Sequence, residues 1–126
     1  MKSQLKSASN ERYAVLSMAV SEVSDRLGIG PTDTGDIVGL SQPTASRMLK
    51  GNYLLKEHSK EWELSAHLVR LYRALFSMVG GSDELASGWL RSSNKAFDSQ
   101  KPIDLIKRVD GLLNVCEYLD AHRARI

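Results

Sequence analysis

Five polar side chains follow the outer face of a short predicted helix in the segment GLSQPTASRMLKG, which runs from Gly39 to Gly51. Gln, Arg, Ser and Thr are side chains that read base edges or hold phosphates, glutamine toward adenine and arginine toward guanine or the backbone. Pro43 suits the first turn of this helix, because an N–H there has no partner inside the helix. The predicted DNA-contacting residues are Ser41, which also caps the helix, Gln42, Pro43, Thr44, Ser46, Arg47, Lys50 and Lys56.

The charge distribution points to the same segment. The chain carries 17 basic and 15 acidic side chains, and the net charge of +2 is too small to indicate a polyanion ligand by itself. Between Gln42 and Lys60, however, four bases meet the single acid Glu57. Lys56 and His58 follow the predicted helix closely enough to bind a neighbouring phosphate. We therefore expect the electrostatic footprint for DNA in the middle of the chain.

A second short helix is predicted just before this one, from Thr32 to Val38. Gly39 supplies the backbone freedom that a tight turn needs, and Leu40 points into the core. Two short helices joined by such a turn form a helix-turn-helix unit, whose second helix enters the major groove. The residues of that second helix predicted to face inward are Ala45, Met48 and Leu49.

The segment GLSQPTASRMLKG resembles the recognition region of Xre-like bacterial regulators. The resemblance lies in the order glycine, apolar residue, Ser-Gln-x-Thr-x-Ser-Arg and a later glycine. One departure is Gly35, at a position where such units usually carry alanine. Glycine there preserves a close helix contact but weakens the first helix by about 0.5 to 1 kcal/mol.

Helical periodicity accounts for the rest of the chain. Asn10 is predicted to cap the first helix, and a long central helix with two apolar stripes is predicted from about Ser59 to Val79. The glycine pair of Gly80-Gly81-Ser82 ends that helix, and its serine caps the next. We predict an all-α fold: an N-terminal helix-turn-helix bundle (residues 1–79) joined by the long central helix to a small helical C-terminal domain (residues 80–126).

Spacing alone gives the second half a structural interpretation. Trp89, Leu90 and Phe97 form a small core, Pro102 starts a helix and Asp110 caps the last one. The spacing of these residues does not by itself indicate a ligand.

The segment WLRSSNKAFDSQKPIDLIKRVDGLLNVCEYL is nevertheless similar to the C-terminal toxin-binding domain of the Xre/ParS/MbcA antitoxin family. That resemblance implies a partner of the RES-domain type, an NAD-consuming toxin held inactive when the antitoxin covers its active-site entrance. Two features depart from the family: the loop DSQK lacks a glycine before the proline, and the end LDAHRARI lacks an apolar tail with glycine. The toxin-binding residues implied are Trp89, Asn94, Phe97, Pro102, Arg123 and Arg125.

Two other functions compete with this interpretation. An enzyme is disfavoured, because Glu63 and His67 could hold a metal only with a third ligand that the sequence does not offer, and GLSQP lacks the second glycine of a nucleophile elbow. GIGPTDTG lacks the lysine of a phosphate-binding loop. The other competitor is a stand-alone helix-turn-helix repressor whose C-terminal half only dimerises or senses a ligand.

The expected protein is therefore a cytoplasmic type II antitoxin that binds its toxin and represses its own operon. It needs no cofactor, and no segment is long enough to cross a membrane. Dimerisation or a higher oligomer is expected, since one recognition helix reads too few base pairs. Cys116 is the single cysteine and lies at helical spacing from leucines, so it is predicted to be a core residue.

Overall fold

A computed structural model describes the backbone of residues 2–124 and the side chains of residues 11, 12 and 14–123. Within that range the only β feature is an isolated bridge between Asn94 and Gln100. The all-α prediction is therefore confirmed. The α-helices are α1 (Lys2–Leu27), α2 (Pro31–Val38), α3 (Gln42–Leu49), α4 (Lys60–Met78), α5 (Asp83–Arg91), α6 (Pro102–Leu105) and α7 (Val109–Ala124), with a single 3-10 turn at Lys95–Phe97.

The first helix begins earlier than its sequence predicts. Helix α1 starts at Lys2, so Asn10 lies inside it and the prediction of an N-cap at Asn10 is wrong. Residues 2–9 contain no glycine or proline and include strong helix formers, so a helix formed downstream continues through them at little cost. Its C-terminal end is as predicted, because Gly28 has a left-handed φ of 68° that leaves the helical path.

Helix α4 is the central helix of the fold. The Ser59 Oγ caps it by accepting a hydrogen bond of 3.1 Å from the Trp62 backbone N–H, at the residue where the helix was predicted to start. It packs most extensively against α7 and also contacts α1, α2 and α5, so it joins the two halves of the chain. One continuous core surrounds it, whose largest fully buried members include Val20, Leu27, Leu55, Leu68, Leu71, Leu75, Leu90, Ile106, Leu112 and Leu119.

Helix α5 is tied back to the end of α1 by hydrogen bonds. The guanidinium of Arg91 donates to the carbonyl oxygens of Leu27 and Gly28, each at 2.9 Å. The Ser87 hydroxyl donates to Leu27 as well, at 3.1 Å. These donors satisfy carbonyls that have no partner inside α1, so the C-terminal half caps a helix of the N-terminal half.

The last two helices cross at very short range. A Cβ on Gly111 would lie 2.0 Å from the Leu105 carbonyl oxygen, so only glycine allows the end of α6 to approach α7 this closely. Helix α7 begins at Val109, and Asp110 therefore lies in its first turn rather than at the predicted cap position. The Asp110 carboxylate accepts hydrogen bonds from Arg108 and from the Gly111 N–H, which lowers the pKa of Asp110.

None of the helices described between residues 2 and 124 combines the length and the apolar composition needed to span a bilayer.

Candidate nucleic-acid interface and the C-terminal aromatic cluster

Helices α2 and α3 form the predicted helix-turn-helix. Gly39 has a left-handed φ of 82°, the backbone conformation at which glycine is favoured. The N–H groups of Gly39 and Leu40 both donate to the Gly35 carbonyl oxygen, at 2.8 and 2.9 Å. These two bonds close the end of α2 and aim the chain into α3.

The first turn of α3 is held by a short chain of side-chain hydrogen bonds. The Ser41 Oγ caps the helix by accepting from the Thr44 N–H at 3.3 Å, and it donates to the Thr44 Oγ1 at 2.9 Å. The Arg47 guanidinium in turn donates to the Thr44 Oγ1 at 3.2 Å. Pro43 is the second helical residue, so the prediction that it begins a helix is confirmed.

The predicted readers lie on the outer face of α3. Ala45 and Met48 are fully buried on the opposite face, as predicted. Of the predicted DNA-contacting residues, Thr44 and Ser46 are partly buried. The exposed ones are Ser41, Gln42, Pro43, Arg47 and Lys50, together with Lys56 in the following loop.

The loop after α3 is anchored beneath this face. The Leu55 N–H donates to the Ser17 hydroxyl at 2.9 Å, and the Ser21 hydroxyl donates to the Met48 carbonyl at 3.0 Å. Both serines belong to α1, so that helix fixes where α3 and the loop lie. His58 has a left-handed φ of 67° and an almost fully exposed side chain, whose Nε2 lies 3.8 Å from the Glu57 carboxylate.

The second half is organised by an aromatic cluster that the sequence predicts only in part. Trp89 and Phe97 meet edge to face, with ring centroids 6.3 Å apart. Tyr118 of α7 stacks on Trp89 at 6.2 Å and contacts Phe97 at 5.0 Å, and His122 lies 4.3 Å from Tyr118. Sequence reasoning missed the last two residues, although both follow the period of α7.

A tight loop connects this cluster to α6. The Asn94 Oδ1 accepts from the Ala96 N–H at 2.9 Å and so caps the 3-10 turn. Asp98 and Ser99 both have left-handed φ values, 53° and 63°, that L residues seldom adopt. The exposed side chains of residues 98–101 are therefore presented on a sharply turned backbone.

The remaining predicted toxin contacts differ in accessibility. Pro102 is buried at the start of α6, so its visible role is structural. Arg123 is exposed near the end of α7. Arg125 lies outside the described residues.

Cys116 is a core residue, as predicted, with only 5% of its surface exposed. Burial raises the pKa of its thiol to about 11. The thiol is therefore protonated at neutral pH and is a poor nucleophile.

Comparison with known protein families agrees with this architecture in both halves. Residues 8–70 match the model of the antitoxin Xre-like helix-turn-helix domain. Residues 73–125 match the model of the antitoxin Xre/MbcA/ParS C-terminal toxin-binding domain. The chain belongs to the Xre-like antitoxin family. It is an antitoxin with a helix-turn-helix domain and a toxin-binding domain.

The Xre-like antitoxin also resembles a solved structure along most of its length. The similar chain is the antitoxin in the crystal structure of the M. tuberculosis MbcT-MbcA toxin-antitoxin complex. The two share 27% sequence identity with a TM-score of 0.65, and the alignment covers 89% of this chain and 96% of that one. No curated protein sequence matches the chain.

Proposed function

We propose that this antitoxin neutralises a cognate RES-type, NAD-consuming toxin by direct binding and represses its own operon through α3. The observation that carries the proposal is the presence of both family domains on one chain, with the predicted DNA-reading face on α3 and the matched toxin-binding domain beginning at residue 73 within α4. The similarity to the antitoxin of the MbcT-MbcA complex supports the toxin side.

For DNA, α3 is the recognition helix. The exposed Gln42 amide suits adenine, and the Arg47 guanidinium suits guanine or a phosphate. Because Arg47 is held by Thr44, less of its side-chain freedom is lost on binding. Lys50 and Lys56 hold phosphates and set the register without reading sequence.

Operator binding requires two copies of this helix. A single α3 reaches too few base pairs for specificity, and two-fold operators present half-sites one helical turn apart. We therefore propose that the antitoxin acts on DNA as a homodimer or a higher oligomer.

For the toxin, the contacting groups are the sharply turned loop at residues 98–101 and the exposed Arg123. Trp89, Asn94 and Phe97 shape the domain that presents them, since they form the aromatic cluster and cap the loop. Residues 1–79 and 80–126 are proposed as the DNA-binding and toxin-binding units, built on the one shared core.

The proposed role is binding, which the two antitoxin-family domains support. Among the described residues there is no group of three or more His, Cys, Asp or Glu side chains placed to hold a metal.

The proposal is tested by coexpressing the full chain with the toxin gene of its operon. We expect restored growth and a complex that coelutes in size-exclusion chromatography. A chain that binds the operator but neither protects the cell nor coelutes with the toxin would show a stand-alone repressor instead.

A further inference from the structure

An apolar groove runs between α1 and α4 on the surface of the molecule. It has a volume of about 1100 Å³. Val15 on its α1 wall has 68% of its surface exposed. Its apolar lining consists of Val15, Leu16, Ala19, Trp62, Ala66 and Val69.

The groove continues along the same two helices. A second cavity of about 220 Å³ shares Ala19, Val69 and Arg73 with it and extends to Arg26 and Tyr72, with Glu22 as its one acid. From Glu11 to Arg26 the α1 wall is roughly 22 Å long, at 1.5 Å per residue. A trough of that length holds about four turns of a bound helix, the helix-in-groove mode of recognition.

The rim of the larger groove is positive. Four arginines line it together with one acid, Glu11. Arg12 contacts Glu57 and Arg70 contacts Asp120, whereas the other two have no ion pair within the described residues. The rim arginines are Arg12, Arg70, Arg73 and Arg123.

The groove faces away from the DNA-reading helix. On α1, Ser17 and Ser21 bond to the end of α3 and its loop. Ala19 follows Ser17 by two residues, about 200° around the helix, and lines the groove on the other side. No residue of α3 lines the groove, and the approach to the DNA side is limited to Arg12, which pairs with Glu57 in the loop after α3.

Charge argues against a second copy in this groove. A two-fold dimer formed groove to groove would bring two arginine-rich rims together, and like charges across an interface are costly. The apolar floor and positive rim instead fit a helix with one apolar face and carboxylates along its edges.

We propose that the groove binds an acidic amphipathic helix of the partner toxin. The inference rests on the proposed toxin-neutralising function. It is supported by position as well as charge, because Arg73 and Arg123 of the rim lie inside the residues that match the toxin-binding domain. The toxin contact then extends from the C-terminal domain onto α1.

The test measures toxin affinity with full-length variants. Ala66 is exposed on the groove floor, so Ala66→Glu should fold while placing a negative charge against an acidic helix. We expect it to weaken toxin binding at least about tenfold. Thr32→Glu, which adds the same charge at an exposed position outside both the groove and residues 73–125, should alter binding less than about twofold.

The outcomes separate this inference from the proposed function. If the wild-type chain binds the toxin and Ala66→Glu binds equally well, the groove inference is wrong and the proposed function stands. If the wild-type chain binds no toxin, both the groove inference and the proposed toxin-neutralising function are wrong. A photocrosslinking residue at Val15 gives a second measurement: an adduct with the toxin supports the proposal, and an adduct with a second copy, or with neither protein in the assembled complex, overturns it.

Discussion

Gly35 of α2 lies directly against the Leu40 carbonyl oxygen, so that a Cβ on Gly35 would stand 2.5 Å from that oxygen. The same Cβ would be 3.5 Å from the Cβ of Ala45 on α3. The backbone of this helix-turn-helix is therefore closed more tightly than an alanine at position 35 would allow. The departure from the family pattern is a packing requirement of this chain.

Gly35→Ala should consequently destabilise the protein. Alanine favours a helix by about 1 kcal/mol over glycine, but the clash is with backbone and should cost more, so we expect a net loss of roughly 1 to 3 kcal/mol in unfolding free energy. Urea unfolding measures this. Gly88→Ala is the matched control: Gly88 lies within α5 with open space around it, so it should gain about 0.5 to 1 kcal/mol. A stabilised Gly35→Ala protein would contradict the observed packing.

Recognition by α3 predicts a sequence-dependent loss of DNA affinity. Gln42→Ala or Arg47→Ala should weaken binding to the operator by roughly 1 to 3 kcal/mol and binding to random DNA much less. Fluorescence anisotropy at fixed salt compares the two DNAs. Thr32→Ala, an exposed change on α2, serves as the control. Equal losses on both DNAs would show that these side chains contact only the backbone.

Arg91 should contribute to stability although it is exposed. Removing its bonds to the last carbonyls of α1 leaves those groups to water, and Arg91→Ala should lower the unfolding free energy by about 1 kcal/mol. Arg91→Lys should lose part of this, because an ammonium cannot reproduce the guanidinium fork. The urea midpoint is the measurement, with Lys95→Ala as an exposed control. An unchanged midpoint for Arg91→Ala would mean that water replaces the side chain fully.

Because Cys116 is buried, its thiol should react slowly with thiol reagents, and the protein should lose stability at alkaline pH. At pH 8 a thiol reagent should modify the native protein at least about a hundredfold more slowly than the urea-unfolded chain. Burial raises the pKa of the Cys116 thiol to about 11 in the folded state. The contribution of this thiol to the unfolding free energy is therefore fully present below the ordinary thiol pKa and is lost as the pH rises toward 11. The stability of Cys116→Ala should lack that portion of the pH dependence. Rapid modification of the native thiol would contradict its burial.

The local features of the fold were predictable because their causes are local. Ser41 caps α3 and Pro43 occupies its first turn for reasons contained in a few neighbouring residues. The apolar period likewise predicts α4, and the structure adds that Ser59 caps it. The start of α1 was not predictable from Asn10, because a good cap does not prevent a helix from continuing through favourable residues before it.

Sequence reasoning missed side-chain contacts that form only when distant helices pack together. Tyr118 and His122 join Trp89 and Phe97 only because α7 folds back across the second half. The two apolar stripes of α4 predicted contact with both halves, which the structure confirms. The side chain of Ala66 remains exposed in a groove, since neighbouring helices do not close over that side of α4.

Toxin neutralisation itself is best measured as NAD consumption by the toxin from the same operon, titrated with the full-length antitoxin. We expect NAD consumption to fall to background near stoichiometric addition of the wild type, and a higher concentration of Ala66→Glu to be needed for the same inhibition. Unchanged NAD consumption in the presence of excess folded, operator-binding antitoxin would contradict toxin neutralisation by this chain.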